Sequence, residues 1–368
     1  MIRHIHMVTP ELPPRAGGVA DYAARLAEHW PEGKLSEWWV AAGAVAAVQA
    51  HPAWTVKTVP VDASGKRWPE TGTLFVHYTQ YGYAGGGIPW RLVVGLRRWR
   101  RNDKSFPGRE ARRLVVFFHE TWQEGPPWRR RGLVAPFARW CARALAGAAD
   151  AVAVNCGRHA AQLGNGCDVL VLPVPANISP GGAGGQGLGA KSSKLRLVIF
   201  GLPETRLRTL KAHRGFVSWL RNRGGLEELV LLGAGEETDR FAVEGLRLAD
   251  DLAGAGVRRV GATDAAGVSV ELFRADLGLS AYAADEAGKS GTLAALFAHA
   301  CAVGCAGHDA GGLALDLSPG ANGAPRDWNQ WQDAATCAKR EARVAAYVAD
   351  ALNWDKHAAR LAKLIRES

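Results

Sequence analysis

Short apolar runs alternate with stretches of helical spacing along most of the chain. The runs are Ile2–Val8, Leu74–His77, Leu114–Phe118, Ala151–Asn155 and Val169–Leu172, then Leu195–Phe200, Leu229–Leu232, Arg258–Val260, Leu277–Ser280 and Ala302–Cys305. Runs that are apolar throughout mark strands covered on both faces, and helices between them mark a parallel sheet. The two series are separated by residues 179–193, a glycine-rich segment with the composition of a flexible linker. The pattern predicts an α/β protein of two doubly wound, Rossmann-like domains, 1–178 and 194–368, facing across a cleft. Ligands are expected beyond the carboxyl ends of the strands. From Asp333 to Ile365 the spacing is helical with a break at Asn353-Trp354, so the C-terminal helices are candidates to pack across the domain junction.

A chain of 368 residues exceeds what one core usually supports. It has no apolar run long enough to span a membrane and no secretory signal pattern, so a cytosolic location is expected. The cysteines Cys141, Cys156, Cys167, Cys301, Cys305 and Cys337 form no CxxC pair and have no histidine at zinc spacing. They are expected to be reduced thiols.

Charge is divided unevenly. Residues 1–178 hold 22 Lys/Arg against 13 Asp/Glu, whereas residues 179–368 hold 23 against 22. The excess concentrates in Arg97, Arg98, Arg100, Arg101, Lys104, Arg109, Arg112, Arg113 and Arg129–Arg131. Such a face suits an anionic membrane surface or a polyanionic acceptor, and a solvated arginine-rich surface explains it equally well. A nucleic-acid partner is disfavoured, because no aromatic stacking motif accompanies the basic run.

Three loops carry the candidate chemistry. Pro13-Pro14-Arg15-Ala16-Gly17-Gly18-Val19 runs into a helix near Val19 and presents bare backbone at a helix N-terminus. Downstream, Ala283–Thr292 follows a strand and precedes an alanine-rich helix. There Glu286, Lys289, Ser290, Gly291 and Thr292 could cradle a diphosphate. The Gly-Lys-Ser within it is not a Walker motif, since the required upstream glycine is Ala283. Alternatively, Lys289 is solvated and Ser290 only caps the helix. The third loop, Gly201–Arg206 with Arg208 and Lys211 behind it, places basic groups past a strand end, where they could reach a phosphate or equally be surface charges on a helix. Gly233 begins a glycine turn able to receive the edge of a nucleobase, although a tight turn alone also explains it.

Together these pieces resemble the GT-B glycosyltransferases, in particular the retaining group 1 family, also called family 4. Pro14–Tyr22 looks like the family's N-terminal glycine loop, and His77–Tyr83 with Gly87–Trp90 resembles its acceptor-side segment. Phe117-Phe118-His119-Glu120 is similar to the strand ending in a histidine that contacts the donor sugar. Val154-Asn155 and Leu172–Pro175 match the end of the first domain. Asp276–Ser280 precedes the donor loop. One feature departs from the family: Lys289 and Phe297 stand where its paired glutamates belong.

The resemblance implies transfer of a sugar from a nucleotide diphosphate sugar, of UDP or GDP type, to a glycan, lipid-linked or small-molecule hydroxyl acceptor. It implies no cofactor and no metal, with Lys289, the amides of Ser290–Thr292, Arg206 and Lys211 stabilising the departing diphosphate. A retaining reaction needs no protein base, because a phosphate oxygen takes the acceptor proton. An inverting one would draw on Asp21, His119 or Glu120, although a strand-end histidine can equally be a core residue bonded to backbone and Glu120 a surface acid. The missing glutamates leave open a catalytically inactive nucleotide-sugar-binding or scaffold protein. A sugar-nucleotide epimerase would share the cleft but should carry more carboxylates than the loops contain.

Overall fold

The computed structural model describes residues 4–12, 18–31, 37–42, 56–60, 64, 66, 68–102, 111–164, 166, 168–178, 180, 194–235, 239–320 and 324–368, with backbone alone for 37–42, 56–60 and 255. Gly17, Lys104, Arg109, Cys167 and nearly all of the expected linker lie outside the described residues. The chain divides into two units: Met1–Pro173 together with Trp354–Ser368, and Val174–Asn353. The expected boundaries were 1–178 and 194–368, so the division differs at both junctions.

The first unit runs β1 (Ile5–Thr9), α1 (Gly18–Glu28), β2 (Glu37–Ala42), β3 (Val56–Pro60), β4 (Thr73–Tyr78), α2 (Trp90–Arg101), β5 (Arg113–Phe118), α3 (Arg130–Ala146), β6 (Ala151–Val154), α4 (Gly157–Leu163) and β7 (Val169–Val171). The strands form a parallel sheet in the order β3-β2-β1-β4-β5-β6-β7. Val8, Val76, Phe118 and Val154 point into a core that α2 and α3 close with Leu92, Leu96, Trp99, Cys141 and Leu145. Buried Trp99 satisfies its indole N–H on the Pro69 carbonyl at 2.6 Å.

The second unit runs β8 (Leu195–Phe200), α5 (Pro203–Asn222), β9 (Leu226–Leu232), α6 (Arg240–Ala253), β10 (Val257–Val260), α7 (Ala265–Arg274), β11 (Leu277–Ser280), α8 (Gly291–Ala298), β12 (Ala302–Cys305), β13 (Leu315–Asp316), α9 (Trp328–Gln332) and α10 (Ala334–Asp350). Its parallel sheet has the order β10-β9-β8-β11-β12-β13. Glycines let side chains press onto its middle. A Cβ on Gly278 would fall 2.4 Å from Leu296, and one on Gly304 2.1 Å from Leu317.

The last helix, α11 (Trp354–Glu367), returns to the first unit. Trp354, His357, Ala358, Leu361, Ala362 and Ile365 recur at helical spacing and are all buried, which defines an apolar stripe. That stripe packs beside α1: Trp354 lies 5.5 Å from the Tyr22 ring, and His29 of the turn after α1 stacks on Trp354 at 6.0 Å.

Each apolar run named from sequence is a strand, with ends that agree within three residues. Three further strands, β2, β3 and β13, have no counterpart among those runs.

Candidate functional site

The candidate residues sort into two sets, one per unit. In the second unit, three loops meet at the carboxyl edge of the sheet. Gly201, directly after β8, has φ +142°, and a Cβ there would lie 3.1 Å from Thr205 and 3.5 Å from Thr292. Gly233, directly after β9, has φ +124°, and its Cβ would come 2.5 Å from the Gly201 carbonyl oxygen. Both conformations disfavour any side chain, so the two turns touch only because they are glycine. Thr292 brings the start of α8 to the same place.

Arg206 clamps these turns. Its Nη1 donates to the carbonyls of Gly201 at 2.6 Å, Gly233 at 2.7 Å and Ala234 at 3.2 Å. Burial pushes its guanidinium below the usual value, with the Asp239 carboxylate opposing and Arg259 adding to the shift. This nitrogen is therefore spent on backbone, and Arg206 acts on the site by holding its loops. Beside it opens a pocket of about 260 Å³, lined by Leu231, Gly233, Phe241, Gly245, Arg259 and Val260 among others.

At α8, Ser290 is the N-cap: its Oγ accepts the Leu293 N–H at 3.1 Å and sits 3.0 Å from the Thr292 hydroxyl. A side chain at Gly291 would meet nothing within 4 Å, so the first amides of α8 have clear approach from that side. Lys289 bonds Glu286 at 3.0 Å, and its ammonium stands 5.9 Å from the Tyr282 ring centre. Arg208 covers the same ring at 4.6 Å. Tyr282 thus gathers two cations next to the α8 N-terminus, a role no local motif announces.

His308 donates Nε2–H to the Tyr282 carbonyl at 2.6 Å, while its Nδ1 accepts the Ala310 N–H at 3.1 Å. His213 donates to the Ser280 carbonyl at 2.8 Å. These two histidines fix the strand-end backbone that carries Tyr282. Lys211 does not join the group. It pairs with Glu244 at 2.5 Å, on a side where both side chains are more than half exposed.

In the first unit the loops after β4 and β5 are knitted by Gln80. Its Nε2 donates to the Gly87 carbonyl at 3.2 Å, and its Oε1 accepts the Gln123 N–H at 2.8 Å. Asn155, after β6, donates Nδ2 to the His119 carbonyl at 3.0 Å and accepts from His159 at 2.8 Å. Gln80 and Asn155 organise this edge of the sheet; both lie in segments that carry the family resemblance, but neither is singled out there as a site residue.

His119 occupies the expected strand end, but its ring is turned inward and buried. Its Nε2 is 3.1 Å from His77 Nδ1, and its ring packs edge-on to Tyr22 at 4.7 Å. Burial, then the neighbouring His77, His357 and His159, holds its pKa well below the usual histidine range. His119 is therefore a neutral imidazole inside an aromatic cluster. Its neighbour Glu120 is partly exposed.

Asp21 is exposed on the first turn of α1. Partial loss of its water shell raises the carboxyl pKa, and the Arg25 charge one turn on draws it back. Gly18 starts α1 in open space, where a Cβ would meet nothing within 4 Å.

No family model matches the chain, and no curated protein sequence matches it. Solved structures do. A trehalose-6-phosphate synthase, OtsA, superposes with a TM-score of 0.64 at 10% identity, covering 99% of both chains. A sucrose-phosphate synthase from Thermosynechococcus elongatus gives 0.62 at 14%, covering 100% of this chain and 99% of its own. HepE from Anabaena, in complex with UDP and glucose, gives 0.62 at 12%, covering 100% of both. Identity this low speaks to architecture alone, and the architecture agrees over full length: the chain has the two-domain, Rossmann-like fold of the GT-B glycosyltransferases.

Proposed function

We propose that the chain is a glycosyltransferase that moves a sugar from a nucleotide diphosphate sugar to a hydroxyl acceptor, with retention and without a metal. The observation that carries this reading is the convergence of the Gly201, Gly233 and α8 turns, beside a pocket and two cations, at one sheet edge. The nucleoside would enter the pocket between Phe241, Arg259 and Val260. The diphosphate would lie on the α8 amides, with Lys289 leaving Glu286 to meet it.

Charge then builds on the leaving diphosphate as the sugar becomes oxocarbenium-like. A fixed helix N-terminus and an ammonium stabilise that charge more than they stabilise the bound donor. The acceptor proton passes to a donor phosphate oxygen, so neutral, buried His119 need not act as a base. Gly17 and Gly18 are proposed to meet the donor from the first unit, with Asp21 and Glu120 near the reacting sugar. The acceptor is a glycan, a lipid-linked molecule or a small molecule, met at an anionic membrane surface where it is lipid-linked.

The direct test is release of UDP from UDP-glucose, and of GDP from GDP-mannose, with and without candidate acceptors. Nucleotide release that depends on acceptor supports transfer. A second reading, a binding protein without turnover, is favoured by Lys289 and Phe297 standing in place of the family's glutamates. Donor binding without release under every condition would support that reading and remove the first.

A further inference from the structure

The first unit exposes an apolar stripe that no described residue covers. Leu133 is 64% exposed, Phe137 60% and Trp140 48%, and they recur at i, i+4 and i+7 on α3. Trp128, in the turn before α3, is 79% exposed. That turn is pinned to the helix: Arg129 N–H bonds the Pro126 carbonyl at 2.9 Å, and a Cβ on Gly132 would lie 2.1 Å from that same oxygen. Trp128 is thus presented at the N-terminal end of the stripe rather than carried on a free loop. The opposite side of α3, with Ala138, Cys141, Ala142 and Leu145, fills the core, so the stripe cannot turn inward.

Charge around the stripe has one sign. Residues 121–147 contain Arg129, Arg130, Arg131, Arg139 and Arg143 against the single carboxylate Glu124. Arg129–Arg131 are all exposed. Arg139 and Arg143 flank the stripe over the Trp122 ring, at 5.8 and 5.6 Å, and Arg143 also holds the Gln162 carbonyl at 3.0 Å.

We propose that α3 and the turn before it dock on an anionic lipid bilayer, with Trp128, Leu133, Phe137 and Trp140 entering the headgroup boundary and Arg129–Arg131 meeting lipid phosphates. Large exposed apolar groups, tryptophans among them, on a helix ringed by arginine and nearly free of acid are the features of an interfacial helix. A protein partner would use the same apolar groups but would not account for the charge. The inference deepens the lipid-linked acceptor of the proposed reaction and rests on that reading for its purpose. Vesicle binding reads the surface alone and nucleotide release reads the reaction alone, so the two can fail separately.

The test is co-sedimentation of the full chain with phosphatidylcholine vesicles, and with vesicles containing about 30% phosphatidylglycerol, at low and physiological salt. Binding should favour the anionic vesicles, weaken with salt, and blue-shift tryptophan fluorescence. A Trp128→Ser/Leu133→Ser/Phe137→Ser/Trp140→Ser variant and an Arg129→Gln/Arg130→Gln/Arg131→Gln variant should each bind about tenfold or more weakly, with unchanged thermal melts. Four outcomes would overturn the proposal: no vesicle binding, equal binding to both vesicle types, wild-type binding by both variants, or an apolar stripe found occupied by a second copy in sedimentation velocity.

Discussion

Tyr22 of α1 and His357 of α11 meet through a hydrogen bond of 2.5 Å, although 335 residues separate them in sequence. Both are buried, and His77, His119, Phe117 and Trp354 pack around the pair. The pair ties a segment made after the whole second unit into the interior of the first.

Tyr22→Phe is therefore expected to cost about 1–3 kcal/mol, because it leaves the buried His357 Nε2 without its partner. Trp354→Ala should cost about 3–5 kcal/mol by opening a cavity under α11. Urea unfolding with a probe in the first unit checks both. A loss confined to the second unit would contradict the packing.

Acid should unfold the first unit early. Burial holds His77 and His357 at about 3, and His119 is depressed as well. All three are neutral when folded but take up protons near pH 6.5 when unfolded. Their contribution is thus complete above pH 6.5 and is lost as pH falls toward the folded values. At pH 5.5 His77 and His357 together should remove about 3 kcal/mol, at about 1.4 kcal/mol per group per pH unit, and His119 acts in the same direction. Melts at pH 7.5, 6.5 and 5.5 measure this, and a flat profile would contradict it.

Lys289→Ala should weaken diphosphate binding by about tenfold or more, the value of one charge-assisted contact of about 1.5–3 kcal/mol. Glu286→Gln, which removes the carboxylate now holding Lys289, should not weaken it. Calorimetry with UDP and GDP on both variants decides.

Gly261 lines the pocket beside Arg206, and a Cβ there meets nothing within 4 Å. Gly261→Phe should fold normally yet obstruct the pocket, raising the nucleotide Kd by an order of magnitude or more while leaving the melt unchanged. Retained affinity would place the nucleoside elsewhere.

Gly18→Val tests the first unit's share. With no neighbour within 4 Å of its Cβ, the substitution should be tolerated in α1. Turnover should fall while nucleotide binding by the second unit persists. Full turnover would remove Gly18 from the site.

The central strands were legible because burial on both faces writes an unbroken apolar run. Leu195–Phe200, Leu277–Ser280 and Ala302–Cys305 begin and end where the sequence puts them. β2 and β3 were missed for different reasons. Val56-Lys57-Thr58-Val59-Pro60 of β3 mixes polar with apolar residues, whereas the apolar stretch that opens β2 at Trp38 continues, alanine-rich, to Val48 with no polar residue to mark a strand end. β13, at two residues, is too short to show any pattern.

Site loops were legible as glycines next to strand ends, since sharp turns leave that mark. Which side chains served them was not. Arg206 reads locally as a free cation, yet its acceptors include a carbonyl 27 residues away. His119 reads as a strand-end ligand, and its burial involves residues as distant in sequence as Tyr22 and His77. Contacts of that range depend on topology, which no local window contains.

The return of α11 sets an order of events during synthesis. The second unit, Val174–Asn353, is complete before Trp354 has been added, whereas the first unit lacks a structural element until residues 354–368 leave the ribosome. Throughout that interval Tyr22 has no His357 to bond and no Trp354 beside it. The N-terminal half of the chain, although translated first, cannot complete its native interior until that last helix is available.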